Sequence, residues 1–70
     1  MQLKQGFKFI QDGTINCEVI EIYTEQRKTS KNIVKTEKIK INKNGKEVVY
    51  DLDCFKKSFD VGLTFGSFKI

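Results

Sequence analysis

The chain has no histidine, no proline and no tryptophan, and only two cysteines among its 70 residues. Without histidine it has no side chain whose ordinary pKa lies near neutrality, so the usual general base and the commonest metal ligand are both missing. Cys17 and Cys54 are too few for a disulfide framework, and their separation fits no zinc spacing. They are expected to be free thiols that pack as small core hydrophobes. The five glycines form no phosphate-cradling pattern. Asp51 and Asp53 sit two apart, but they have no third ligand beside them, and Asp53 has a sufficient role as a helix cap. The chain is therefore expected to be non-catalytic, with no metal and no cofactor. Long apolar runs are absent too. The start, Met1 to Gly6, has no apolar core of a leader, and no stretch approaches membrane-spanning length. A cytoplasmic protein that does not enter the membrane is expected.

Positive charge is plentiful and unevenly placed. Residues 24–46 hold eight basic side chains, Arg27, Lys28, Lys31, Lys35, Lys38, Lys40, Lys43 and Lys46, against Glu25 and Glu37. The window has a surplus of six positive charges, whereas the rest of the chain is slightly acidic. Segregated charge of this kind attracts anions. Lysine outnumbers arginine twelve to one, and the abundant Lys and Ile match the codon bias of an AT-rich bacterial or phage genome. Arginine is the better residue for forked recognition of phosphate. Its scarcity points to loose electrostatic binding rather than sequence reading. Tyr23 and Tyr50 border the basic segment and are the only aromatics placed to stack on bases there.

Seventy residues allow one domain, 1–70, and eight Ile, six Phe and five Val supply one small core. Residues 7–10 read as a short strand, followed by the turn pair Asp12-Gly13. Residues 14–23 alternate, with Ile15, Cys17 and Val19 on one face and Ile20 and Ile22 on the other. The phase change near Val19-Ile20 predicts a bulge. The polar stretch 24–32 reads as a loop. Residues 33–42 read as a strand with Ile39 and Ile41 inward and Lys38 and Lys40 outward. Asn44-Gly45 is a hairpin turn, and residues 47–52 form the next strand. Asp53 is expected to cap a helical turn over residues 54–59 that ends at Gly62, with Leu52, Phe55 and Phe59 meeting one core. Residues 63–70 read as a last strand with a bulge at Gly66.

This order of Asp12-Gly13, Asn44-Gly45 and a helical turn before the final strand resembles the small five-stranded barrels of the Src-homology-3, Tudor and KOW type. The resemblance implies an all-β fold with one short helical turn, a small antiparallel Src-homology-3-like barrel. The link between the first two strands is too short for a proline-motif ligand loop. The chain also resembles small accessory proteins of phages and mobile elements.

The expected function is a binding module for an anionic partner, nucleic acid or nucleoprotein. Its expected site is Arg27, Lys28, Lys31, Lys38, Lys40, Lys43 and Lys46, with Tyr23 and Tyr50. Two other classes remain open. One is a small inhibitor or adaptor, for example an anti-defence protein, that acts by contact with a host protein. The other is a nucleotide sponge with the ligand held between two copies. A homodimer would add buried area that so short a chain lacks.

Overall fold

The computed structural model describes residues 3–70. Met1 and Gln2, part of the segment read above for a leader, lie outside the described residues. Five strands form one antiparallel sheet: β1 (Lys8–Gln11), β2 (Ile15–Lys28), β3 (Ile33–Lys43), β4 (Lys46–Asp51) and β5 (Phe68–Lys69). Their spatial order is β4-β3-β2-β1-β5. A helix, α1 (Leu52–Phe65), connects β4 to β5. Because those two strands lie at opposite edges, α1 must cross the sheet, and it covers one face. The sheet is not closed into a barrel, so that part of the expected architecture is not met; the mostly β character and the five antiparallel strands stand.

The core lies between α1 and the inner face. Val19, Ile39 and Ile41 are fully buried, and Phe9, Cys17, Leu52, Phe55 and Phe59 are buried with them. Each such side chain contributes roughly 1.5–3 kcal/mol by leaving water. Aromatic rings fill the layer between helix and sheet: Phe9 meets Phe59 edge-on at 5.1 Å, and Phe59 meets Phe68 at 5.2 Å. Phe65 departs from the expected core set and is exposed. Cys54 also departs from it: the thiol is free and on the surface, whereas Cys17 is free and buried as expected.

The predicted phase change is present. Val19 pairs with Ile41 but Glu21 pairs with Lys40, so Ile20 is the extra residue of a bulge. Beyond it, Ile22 rather than an odd-numbered residue joins Ile39 on the inner face. Asn44 and Gly45 take φ of 50° and 92°, the positive values that a tight hairpin turn requires.

The helix is longer than the predicted turn, and its caps differ. Asp51, not Asp53, occupies the N-cap position, and its side chain makes no capping hydrogen bond. Asp53 lies in the first turn, where a carboxylate favours the positive end of the helix. Gly62 is inside the helix and buried, not at its end. The ring of Phe68 occupies the space where a Cβ would stand. The helix ends at Gly66, whose φ of 85° is a left-handed cap rather than a strand bulge. The last strand is consequently only Phe68–Lys69.

The stretch 24–32 is not a loop. Strand β2 runs through Lys28, and only residues 29–32 turn. Pairing continues to Lys28 opposite Ile33.

A candidate anion-binding arm

Strand β4 reaches only as far as Lys38, which pairs with Asp51. Beyond that row β2 and β3 continue alone for five pairs, from Thr24–Glu37 out to Lys28–Ile33. These two strands form an arm with no third strand beside it, about 17 Å long at 3.4 Å per residue. The molecule is correspondingly elongated, 45 Å in its longest direction and 17 Å in its shortest. The end is tied closed. Thr29 N and Oγ1 both donate to the carbonyl of Asn32, at 2.8 and 2.9 Å, and Asn32 N donates to Thr29 Oγ1 at 3.1 Å.

The predicted basic residues fall into three separate groups. The first is at the end of the arm. Residues 26–35 hold Arg27, Lys28, Lys31 and Lys35 and no carboxylate. All four are exposed, and among the described residues none makes an ion pair. Strand alternation puts Arg27 and Val34 on one face of the arm, and Lys28, Ile33 and Lys35 on the other. Ile33 and Val34 are exposed apolar side chains between these cations. Lys35 belongs to this group by position, although it was not among the expected site residues.

The second group, Lys38 and Lys40, points outward from the sheet as expected, but each has an acidic partner. Lys38 donates to Asp51, and Lys40 lies 3.9 Å from Glu21. The hydrogen bond to Asp51 raises the pKa of Lys38 above its ordinary value. Around them the open face mixes signs. Lys8, Glu18, Asn42 and Glu47 form one row across the strands, and Glu21, Lys40 and Val49 another. This face has no surplus of positive charge.

The third group is at the far end of the sheet. Lys43 and Lys46 pair with each other beside Asn44-Gly45, on the helix side. Lys43 Nζ sits 4.9 Å from the ring centroid of Tyr50, a cation held over an aromatic face. Lys43 and Lys35 are eight residues apart along β3, about 27 Å.

The two tyrosines are not brought together. Tyr23 pairs with Lys38 on the open face, whereas Tyr50 packs on Phe55 of α1 at 5.3 Å. The arm beyond Tyr23 has no aromatic residue at all. A concavity of about 600 Å³ lies over the open face at Lys8, Ile10, Asn16, Glu18 and Ile70. Its one lysine is opposed by Glu18, so it offers no preference for a phosphate. Burial pushes the Cys17 thiol up from its ordinary pKa, against the opposing charge of Lys43. A thiol held in its neutral form suits a core residue rather than a nucleophile.

Among the described residues, no three side chains cluster as metal ligands, and no helix is long and apolar enough to cross a membrane. No family model, no curated protein and no solved structure matches the chain.

Proposed function

We propose that this chain is a non-catalytic binding protein that engages an anionic partner, nucleic acid or a nucleoprotein, through the end of its β2–β3 arm. One observation carries the reading: residues 26–35 present four exposed cations, no carboxylate and no ion pair, on a ribbon that projects from the body. A two-stranded ribbon has little stability of its own in water. Concentrating unneutralised charge at its end gains nothing for the fold, since like charges repel. The same placement favours any polyanion that can reach it. Lys38 and Lys40, already paired, and Lys43 and Lys46, at the far end of the sheet, contribute to the long-range field more than to contact. Cytoplasmic nucleic acid is the setting we favour, and a phage or mobile-element source accords with the abundance of Lys and Ile.

Binding to nucleic acid at two salt concentrations tests this. Four phosphate contacts give a slope of log K on log salt of about −2.8 to −3.6, at about 0.7–0.9 per contact. Affinity then falls roughly a hundredfold between about 50 and 200 mM salt. Salt-independent binding, or none, would remove the reading.

A second reading, an inhibitor or adaptor acting by protein contact, is favoured by the edge of β4. This six-residue strand has neither proline nor bulge, and Val49 beside its edge is 45% exposed. Such an edge accepts an added strand. A stoichiometric protein partner whose capture ignores salt would support it over the first reading.

A further inference from the structure

We infer that the anionic partner is B-form duplex DNA, entered through its major groove by the end of the arm. The inference rests on the arm being an anion-binding site and goes on to name the partner. Three features of the arm carry it.

The cations lie on both faces of the ribbon, Arg27 on one and Lys28 and Lys35 on the other. A flat anionic surface would be met by one face only. Cations on two faces suit a cleft with an anionic wall on each side, and a duplex groove is such a cleft.

The charge also stops at a definite depth. Lys28, Arg27 and Lys35 occupy the three outermost paired rows. At about 3.4 Å per row, these span roughly 7 Å, and the turn 29–32 with Lys31 projects beyond them. The first carboxylates, Glu25 and Glu37, lie in the next two rows inward. The major groove is about 8.5 Å deep, so the turn and the outermost rows enter and the acidic rows remain outside. With side chains the ribbon is about 10 Å thick, judged from the spacing of packed sheets. It therefore fits a major groove about 12 Å wide and not a minor groove about 6 Å wide. The deep, narrow major groove of A-form RNA also excludes it.

The third feature is what the arm lacks. Proteins that hold single strands stack bases on aromatic rings, and residues 24–37 contain none. They contain instead Ile33 and Val34, exposed next to the cations. They share the faces that meet the groove walls, and the polar turn 29–32 is the part that reaches the base edges at the groove floor. With one arginine and no forked contacts beyond it, the binding is expected to be nearly independent of sequence.

The test is fluorescence anisotropy of the whole protein with four probes: a DNA duplex of about two helical turns, the RNA duplex of the same sequence, a single DNA strand, and the DNA duplex with glucosylated hydroxymethylcytosines that fill the major groove. The expected result is that the plain DNA duplex binds at least about tenfold tighter than each of the others. Salt-sensitive binding that is equal for RNA, single strands or the filled duplex would overturn the inference and leave the anion-binding arm in place. Salt-insensitive binding or no binding to any probe would overturn both.

Discussion

Gly62 shows how one residue sets the distance between helix and sheet. In an exposed helix interior, Gly→Ala stabilises by roughly 0.5–1 kcal/mol. Here the added methyl would meet the ring of Phe68, itself wedged against Phe9, Phe55 and Phe59. The sign reverses, and Gly62→Ala should destabilise by about 1–3 kcal/mol, the usual cost of overpacking. In a domain of this size, each kcal/mol lowers Tm by about 4–8 °C. A thermal melt of the variant that matches or exceeds the parent would mean that the Phe68 ring does not fill that space. The cysteines offer a second check at this scale. Cys54 is exposed and Cys17 is buried and held neutral. One thiol per chain should react quickly with a thiol reagent in the native protein, and the second only in denaturant. Two fast thiols would contradict the burial of Cys17.

At the scale of elements, the arm differs from the body in what holds it. Rows that include Ile39 and Ile41 are covered by α1 and flanked on both sides by strands, whereas rows beyond Lys38 have only each other. Local stability should fall along β3 from Ile41 to Ile33, and amide hydrogen exchange should rise in the same direction. Uniform protection along β3 would show that something further supports the arm. This difference also explains what could be read from the sequence. Periodicity reports burial, not pairing. The inner residues of β2 and β3 and the bulge near Ile20 were legible because a core sits behind them. The stretch 24–28 pairs without burying anything, so it lacked a period and read as loop. The helix was cut short for another reason. A glycine can serve a cap or a close approach, and Gly62 and Gly66 do one each; nothing local distinguishes them. Closure into a barrel was not legible, because it depends on how far the sheet curls and not on the order of its strands; here β5 joins β1, and β4 and β5 remain the two edges.

At the scale of the molecule, net charge and charge placement are separate matters. The sequence located the positive surplus between residues 24 and 46 but could not divide it. Register divides it, pairing Lys38 and Lys40 with carboxylates, placing Lys43 and Lys46 at the far end of the sheet and leaving Arg27, Lys28, Lys31 and Lys35 free at the end of the arm. Two quadruple variants with equal loss of charge separate placement from total. One changes Arg27, Lys28, Lys31 and Lys35 to Gln; the other changes Lys38, Lys40, Lys43 and Lys46 to Gln. The arm variant touches no buried residue, and surface changes of this type cost within about 0.5 kcal/mol each, so both should fold, which their melts will show. The measurement is the slope of log K against log salt for a DNA duplex. The account predicts that the arm variant loses most of a slope near −3.6, at about 0.9 per phosphate contact, while the second variant keeps most of it. Equal flattening in both would show that only net charge matters, and would contradict the account.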